Sequence, residues 1–361
     1  MNTAVDGFAT ALVQWQRASG RHELPWQNTT DAYRIWLSEI MLQQTQVAAV
    51  IPYYGRFLER FPDVFALARA SDDEVMQCWS GLGYYSRARN LHACARRVVS
   101  EFAGVFPTDP LVIASLPGIG RSTAAAIAVF SAGVRAAILD GNVKRVLSRM
   151  FAIEGFPGER AIEQQLWALA EQLLPAGRDD MVDYTQGLMD LGATLCKPKN
   201  PSCLLCPMRN ACKALALGKV DRLPTPKVRT AVPERSVAML VLRFGDQVLL
   251  EKRPPQGIWG GLWSLPELPL AGDEQLMHQK AGLFAARFGV VAGMQHGAVF
   301  VHGFTHFRLT AQPVVVALER LVPRLAEDAA GLAWTDLAGV QDAGLPAPVK
   351  KYLIGLVQAK G

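Results

Sequence analysis

The sequence predicts a protein of two parts, in which a nearly all-helical region is followed by a separate α+β domain. The chain has 361 residues, which is too long for one ordinary hydrophobic core. Apolar residues recur at helical spacing from residue 8 to about 215, and short β-branched or apolar runs replace that spacing near the carboxyl end. We therefore expect a helical region at 1–218, a linker at 219–234 and an α+β domain at 235–361.

The linker prediction rests on composition. Residues 219–234 carry three prolines and several basic side chains without an apolar period, which is typical of an exposed interdomain segment. The strand predictions begin directly after it. They cover Ser236–Leu242 and Gln247–Leu250, which are separated by a Gly-Asp turn, and later Gln312–Leu318.

Charge and hydropathy narrow the class of protein only slightly. The net charge is +5 and the pI is near 8.9, which suits a polyanionic partner but is also common among ordinary globular surfaces. The first residues do not have the pattern of a secretion signal, and no run of about 18 apolar residues occurs. We expect a soluble cytoplasmic protein that does not enter a membrane.

Four cysteines form a compact group with the spacing C-x6-C-x2-C-x5-C. They are Cys196, Cys203, Cys206 and Cys212. Thiolates are soft ligands that suit an iron–sulfur cluster or zinc. Structural zinc sites usually repeat a short C-x2-C pair, which occurs only once here, so the spacing favours iron–sulfur. Zinc and disulfides remain the alternatives.

A glycine-rich turn is predicted between two helices at residues 116–124, LPGIGRSTA. Pro117, Gly118 and Gly120 would leave backbone N–H groups uncovered at the start of the following helix, where they favour a phosphate oxygen. Such a turn binds a nucleic-acid backbone without reading its sequence. The alternative is an ordinary glycine-rich helix connection.

Two carboxylates stand out by their surroundings. Asp140 follows an apolar pair and precedes Gly141, so it is predicted at a helix start, where an N-cap is the simpler explanation. Glu39 lies among apolar residues on a predicted helix. Burial of such an acid raises its pKa and suits proton donation, whereas a buried ion pair is the alternative.

Taken together, the motifs SEIMLQQTQV, LPGIGRSTA and LDGNVKRV and the four-cysteine loop resemble the helix-hairpin-helix DNA glycosylases, in particular the MutY-type adenine DNA glycosylases. The resemblance covers nearly the whole chain. It implies a six-helix barrel with a helix-hairpin-helix element and one [4Fe–4S] cluster in the loop 196–212. It also implies a monomer associated with the nucleoid, with repair and replication proteins as further partners.

The implied reaction is hydrolysis of the N-glycosidic bond of adenine mispaired with 8-oxoguanine or guanine in double-stranded DNA. By resemblance, Glu39 protonates adenine N7 and Asp140 stabilises the oxocarbenium-like sugar. The adenine must leave the base stack for this to happen. The residues expected to bind DNA or substrate in this region are Gln43, Gln44, Tyr84, Arg87, Arg89, Gly118, Gly120, Arg121, Ser122 and Lys144.

Ser122 separates this chain from a close relative. Endonuclease III-type enzymes carry a lysine at that place, which attacks the sugar and then cleaves the strand. A hydroxyl cannot form a Schiff base, so we expect a monofunctional glycosylase. The alternatives are an endonuclease III-type glycosylase for oxidised pyrimidines and a damaged-DNA-binding protein without catalysis.

The carboxyl-terminal domain resembles the start of a Nudix fold at residues 257–267. Residues 275–280 offer no cluster of carboxylates for magnesium, which argues against pyrophosphatase activity. The triplet Phe304, Thr305 and His306 resembles the Phe-Ser-His loop with which MutY-type proteins inspect 8-oxoguanine. We therefore expect a Nudix-like domain that recognises the lesion.

Overall fold

The computed structural model describes residues 7–228, 231–270, 272–304, 306–322, 331–341 and 343–358. Packing divides them into two compact units. The first contains residues 7–69 and 90–228, and the second contains residues 70–89 and 231–358. The first is helical and the second combines helices with a mixed sheet, as the sequence predicts.

The described helices of the first half begin at Phe8. They are α1 (Phe8–Ser19), α2 (Ala32–Leu42), α3 (Val47–Arg60), α4 (Val64–Arg69), α5 (Asp72–Trp79), α6 (Ser86–Phe102), α7 (Pro110–Ala114), α8 (Arg121–Ala132), α9 (Gly141–Met150), α10 (Arg160–Gln172), α11 (Met181–Asp190) and α12 (Lys213–Ala216). A π-helical turn at Leu191–Leu195 and two 3₁₀ turns lie between α11 and α12. Among these and the other described helices, none combines the length and the apolar character that a membrane span requires.

Side-chain caps explain where several helices begin. Asp31 accepts the N–H groups of Tyr33 and Arg34 at the start of α2, and Asp109 accepts that of Leu111 at the start of α7. Caps of this kind contribute about 1 kcal/mol each. They fix the helix starts that the sequence pattern leaves uncertain by a few residues.

The first unit has a core built from α1, α9, α10 and α11. Phe8, Leu12, Leu147, Leu166 and Tyr184 are almost completely buried in it. Because Leu147 and its apolar neighbours on α9 are buried here, the helix that begins after Asp140 is held in place by its apolar face.

The first part of the segment 219–234 is not the exposed linker that its composition suggests. Leu223 is buried, and its carbonyl oxygen accepts a hydrogen bond from Arg149 Nε at 2.8 Å. Thr225 Oγ1 accepts the N–H of Gly155 at 3.0 Å. These two hydrogen bonds satisfy donors of Arg149 and Gly155, and they hold this part of the segment in the first unit.

The second unit is built on a mixed sheet. Its strands are β1 (Glu234–Phe244), β2 (Gln247–Lys252), β3 (Trp263–Ser264), β4 (Glu267–Pro269), β5 (Gly289–His296), β6 (Phe300–Gly303), β7 (Arg308–Leu321) and β8 (Leu332–Asp336). The order is β3-β2-β1-β7-β5, with β4 on β1, β6 on β7 and β8 on β2. β1 and β7 are parallel, and the other pairs are antiparallel. The three predicted strands are confirmed as parts of β1, β2 and β7.

Two helices complete this unit, α13 (Glu274–Ala285) and α14 (Ala347–Gln358). Met277 and Ala281 of α13 pack in one core with Leu240 of β1 and with Val314 and Val316 of β7. Residues 237–242 of β1 are all buried, which explains why this strand is continuously apolar rather than alternating.

Residues 70–89 pack with the second unit, although they lie within the region 1–218 for which the sequence predicts one helical domain. Ser80 Oγ donates to the carbonyl oxygen of Leu345 at 3.0 Å, and Arg89 Nη1 donates to that of Gly260 at 2.5 Å. Contacts between residues so far apart in sequence leave no local signal in composition or periodicity.

Candidate active site

A cleft of about 1330 Å³ in the first unit brings together much of the predicted catalytic region. The predicted site residues that line it are Glu39, Gln43, Gln44, Gly120, Ser122 and Asp140. They come from the end of α2, the start of α8 and the start of α9. The volume is large enough to accept a small organic group such as a nucleobase.

Asp140 is the N-cap of α9. Its carboxylate accepts the backbone N–H of Val143 at 2.8 Å. Burial raises the pKa of Asp140, whereas hydrogen bonds from the N–H groups of Val143 and Asn142 and the charges of Arg145 and Lys144 lower it. The simpler prediction of an N-cap is therefore confirmed, and the same carboxylate faces the cleft.

Glu39 lies one turn before the end of α2. Burial and, to a lesser extent, the negative charge of Asp140 raise its pKa to about 8. No cation contributes to this shift, which argues against the alternative of a buried ion pair. A carboxyl with this pKa favours the protonated form at neutral pH.

The chain leaves α2 through a strained residue. Gln44 has a φ of 55°, in the left-handed region that non-glycine residues rarely adopt. The side chain of the preceding Gln43 reaches Thr123 on α8, with 3.5 Å between Nε2 and Oγ1. Strain of this kind costs of order 1–3 kcal/mol and commonly marks a functional site.

The two glycines of the hairpin have different reasons to be glycine. Gly118 has a φ of 75°, and a Cβ there would lie 2.6 Å from Cβ of Asn90. Gly120 is the N-cap of α8, and a Cβ there would meet nothing within 4 Å. Gly118 is therefore required by the turn, whereas Gly120 leaves open space before the N–H groups of α8. Their binding of phosphate stays a prediction.

Ser122 takes part in the structure beside the catalytic residues. Its Oγ accepts the backbone N–H of Leu139 at 2.9 Å. Because Leu139 directly precedes Asp140, this hydroxyl fixes the backbone that carries the carboxylate. The sequence leaves the role of Ser122 open, and this bond supplies one.

The two predicted cations next to these residues already have partners in the first unit. Arg121 forms an ion pair with Glu171, and its guanidinium lies 3.8 Å from the ring centre of Trp167. Lys144 Nζ lies 2.5 Å from a carboxylate oxygen of Glu163. Each would have to share or exchange this partner to bind DNA.

A hydrogen-bonded path joins Asp140 to the four-cysteine loop. Asn142, whose backbone N–H bonds Asp140, accepts a hydrogen bond from Arg145 Nη2 at 2.8 Å through its side-chain oxygen. Arg145 also donates to the carbonyl oxygen of Gly192 at 2.8 Å and to that of Cys196 at 2.7 Å. The cysteine loop and Asp140 are therefore joined through the start of α9.

Arg149, one turn further along α9, holds the same loop. Its guanidinium donates to the carbonyl oxygens of Lys197 at 2.7 Å and Pro198 at 3.1 Å, and to Cys196 Sγ at 3.4 Å. Sequence reasoning missed both Arg145 and Arg149. The available signal was a pair of arginines spaced i, i+4 on an apolar helix. Arginines buried at such positions need several hydrogen-bond acceptors, so the pair indicates close contact with neighbouring polar groups.

The four cysteines are free thiols, so the disulfide alternative is wrong. Cys196, Cys206 and Cys212 pack against the core of the first unit. The group that the four thiols hold stays a prediction.

Three further predicted residues lie in the second unit. Tyr84 is 45% exposed and has a φ of 47°. Arg87 is buried, its guanidinium lies 5.4 Å from the Tyr84 ring centre, and burial lowers its pKa to about 10. Arg89 donates to Gly260. Arg87 and Arg89 thus make contacts within the second unit, and the binding of DNA by these two residues and by Tyr84 stays a prediction.

The loop between β6 and β7 contains the triplet predicted to inspect the lesion. Phe304 N–H donates to the carbonyl oxygen of Phe307 at 2.8 Å, and their rings stack at 4.6 Å. His306 is exposed at this turn. Thr305 lies outside the described residues.

Sequence reasoning missed two aromatic partners of this loop. Trp259 and His302 lie 5.5 Å and 4.7 Å from the Phe304 ring centre. Trp259 has a φ of 56°, and burial lowers the pKa of His302. Trp259 lies within the stretch that resembles a Nudix fold, which offered a signal, whereas nothing in the sequence singles out His302.

Comparisons with known proteins agree with this architecture. Residues 37–172 match the family described as HhH-GPD superfamily base excision DNA repair protein, and residues 237–354 match the NUDIX domain. Among solved structures, a thermostable thymine-DNA glycosylase is 29% identical with a TM-score of 0.54, and the match covers 60% of this chain and 98% of that one. An endonuclease III–DNA complex has the same coverage and a TM-score of 0.51, but its 20% identity shows the fold alone.

Relatives match over much more of the chain. The adenine DNA glycosylase of Buchnera aphidicola (subsp. Schizaphis graminum) is 36% identical over 348 residues, which are 96% of this chain and 97% of the relative. That of Homo sapiens is 36% identical over 376 residues, which cover 88% of this chain and 68% of the relative. With the two carboxylates, the hairpin and the second unit all in place, these matches show that the chain belongs to the adenine DNA glycosylase family.

Proposed function

We propose that this protein is an adenine DNA glycosylase of base excision repair, and that it removes adenine mispaired with 8-oxoguanine or guanine in duplex DNA. The observation that carries the proposal is the pairing of Glu39 and Asp140 in one cleft, where burial raises the pKa of both carboxyls but only Asp140 has backbone N–H groups and nearby cations that oppose this rise. A protein that only binds damaged DNA has no need of such a pair.

Glu39 is the general acid. With a pKa of about 8 it is mostly protonated at neutral pH, and it donates this proton to N7 of the adenine. Protonation turns adenine into a better leaving group, so the glycosidic bond breaks with less charge on the departing base. The apolar surroundings of α2 maintain the proton until the base is bound.

Asp140 stabilises the sugar. The N–H groups of Val143 and Asn142 favour its anionic form in spite of burial. A carboxylate held by the helix start can face the positive charge that develops on the oxocarbenium-like sugar, and water then completes the hydrolysis.

No lysine is found among the described residues that line the cleft. Ser122 is engaged with the backbone at Leu139, and the nearby Lys144 pairs with Glu163. An amine in a tight ion pair is a poor nucleophile, because it must lose its proton to attack. We infer a monofunctional enzyme without strong lyase activity.

Binding of the duplex uses backbone groups and wedge residues. The uncovered N–H groups at the start of α8 bind a phosphate. Gln43 and Gln44 fill the space left by the extruded adenine, and Tyr84 intercalates, which offsets an unstacking cost of a few kcal/mol. The left-handed backbone of Gln44 and Tyr84 supports this role, because it projects each side chain from a sharp turn.

The loop of residues 304–307 reads the base opposite adenine. Stacking of Phe304 on Phe307, with Trp259 beside them, holds the turn and leaves His306 exposed to donate or accept a hydrogen bond. 8-oxoguanine differs from guanine at its C8 oxygen and N7 proton, so a polar side chain near that edge can distinguish them.

The four-cysteine loop fits one [4Fe–4S] cluster, held by Cys196, Cys203, Cys206 and Cys212. The sequence spacing C-x6-C-x2-C-x5-C favours this cluster over zinc, and Arg149 supplies a hydrogen bond to Cys196 Sγ of the kind that tunes such clusters. When bound, the cluster would hold the loop in one rigid conformation. Its exposed Lys197, Lys199, Arg209 and Lys213 then present positive charge to the DNA backbone.

Replacement of either carboxyl should abolish base release. In a single-turnover assay on a duplex with adenine opposite 8-oxoguanine, the wild type should yield strand cleavage only after an alkali step. Glu39→Gln and Asp140→Asn should each slow base release by about 10²–10⁴-fold, because a general acid or a charge stabiliser is lost. DNA binding, measured by fluorescence anisotropy, should be largely kept.

The control for Asp140→Asn is Asp109→Asn, which changes the N-cap of α7 in the same way. Asparagine caps helices as well as aspartate does, so both variants should fold. Wild-type release by either catalytic variant would refute the mechanism. Direct nicking without alkali, with thymine glycol as a better substrate, would indicate an endonuclease III-type enzyme.

The pH profile should report Glu39. Its raised pKa means that the acid is present below about pH 8 and is lost as the pH rises through that value. The single-turnover rate with saturating enzyme should therefore fall by about tenfold per pH unit above this point. At the acidic end the rate should fall as Asp140 becomes protonated. A flat alkaline limb, with DNA binding shown to be constant, would exclude Glu39 as the acid.

Substitutions in the loop of residues 304–307 should alter lesion preference. Phe304→Ala and His306→Ala should each lower the ratio of the rate of adenine release opposite 8-oxoguanine to that opposite guanine by about tenfold. This factor corresponds to the loss of one hydrogen bond or ring contact of about 1–1.5 kcal/mol. The control is Phe300→Ala on β6, whose ring contacts Tyr352 instead. An unchanged ratio in both loop variants would contradict a role in recognition.

The cluster proposal is tested by analysis of iron and acid-labile sulfide in protein purified without air. We expect about four of each per chain with broad visible absorption, and Cys203→Ser should lose most of both. Colourless protein with stoichiometric zinc in these cysteines would refute the cluster.

A further inference from the structure

Three potential metal-binding side chains meet on the second unit, and none of them is assigned to lesion recognition. Glu274 and His278 lie four residues apart in the first turns of α13, and His296 ends β5. One ligand atom from each lies within 4.8 Å of the other two. Two ligands from successive turns of one helix, together with a third from a strand, are a common way to build a three-ligand metal site.

The local geometry is close to that of a bound transition metal. A tetrahedral zinc with bonds of about 2.0–2.1 Å separates neighbouring ligand atoms by about 3.4 Å. His296 Nε2 already lies 3.4 Å from Glu274 Oε1. The rings of His278 and His296 are stacked with their centres 4.9 Å apart, so a small rotation of these side chains would bring the remaining nitrogen into range.

His278 is not explained by its hydrogen bonds. Its Nε2 is buried, and within the described part of the chain it has no hydrogen-bond partner. A buried polar nitrogen without a partner is unfavourable. A metal ion bound by both rings would give this nitrogen a partner.

We propose that Glu274, His278 and His296 bind one divalent transition-metal ion of the zinc class. Two imidazole nitrogens and one carboxylate oxygen suit zinc, cobalt or nickel rather than magnesium, which prefers oxygen ligands and octahedral geometry. Glu274 and His296 are exposed, so the ion has a path of entry and water can occupy the fourth position.

The ion would act as a structural cross-link. β5 is the last strand on its side of the described sheet, where it pairs with β7. A metal bound by His296 and α13 would attach the end of this strand to the helix that packs on the sheet. The site is independent of base excision, and it does not restore a Nudix pyrophosphatase, because Gln279 and Lys280 stand where that motif has carboxylates.

The test uses the full-length protein with its iron content measured in every sample. Wild type, Glu274→Gln, His278→Gln and His296→Gln are dialysed against buffered zinc, and bound zinc is measured by mass spectrometry. We expect one zinc per wild-type chain in addition to iron, and an affinity at least about tenfold lower in each variant. The matched control is Gln279→Ala, an exposed change on the same helix, which should bind zinc as the wild type does.

X-ray absorption at the zinc edge of the wild type gives a second readout that does not depend on the variants. Nitrogen and oxygen neighbours at about 2.0–2.1 Å support the site, whereas sulfur at about 2.3 Å would place the zinc in the cysteine loop and overturn the proposal. Equal zinc binding by the wild type and all three ligand variants would overturn it as well, as would the absence of zinc from the wild type.

Discussion

The hydrogen bond from Val143 N–H to the Asp140 carboxylate is the interaction on which the first unit most depends. It starts α9, whose apolar face is buried in the core and whose arginines hold the four-cysteine loop. The bond also opposes the rise in the pKa of Asp140 that burial causes. Asp140 is therefore more than an ordinary N-cap. It starts the helix that positions the cysteine loop, and it takes part in the proposed chemistry of the cleft.

Backbone strain occurs at several places that a DNA substrate is proposed to touch. Gln44, Tyr84 and Trp259 all have positive φ values without being glycine. Such conformations persist only when neighbouring contacts hold them. Here the contacts are identifiable, since Gln43 bonds Thr123, Arg87 lies against Tyr84, and Trp259 packs on Phe304. Rigid turns of this kind reduce the entropy lost when a side chain enters the base stack.

Local features of the sequence were enough to predict much of the fold and both carboxylates. Helical periodicity predicted the first half, and alternating or continuous apolar runs predicted β1, β2 and β7. The turn at Gly118 was also predictable, because few residues other than glycine tolerate its φ of 75°. By contrast, the bond between Ser122 and Leu139 and the buried positions of Arg145 and Arg149 depend on tertiary packing. For the same reason composition suggested an exposed segment at 219–234, because it carries no information on the contact between the buried Leu223 and Arg149.

The placement of residues 70–89 has a consequence for synthesis of the chain. Ser80 and Leu345, which bond each other in the second unit, are 265 residues apart. At translation rates of about 5–20 residues per second, residues 70–89 are synthesised roughly 10–50 s before their partners. During that interval Met76, which is buried beside Gly261 and Gly344 in the finished protein, lacks those neighbours. Chaperone binding to nascent chains of this protein should therefore concentrate on α5, in the middle of a region that otherwise can fold as it emerges.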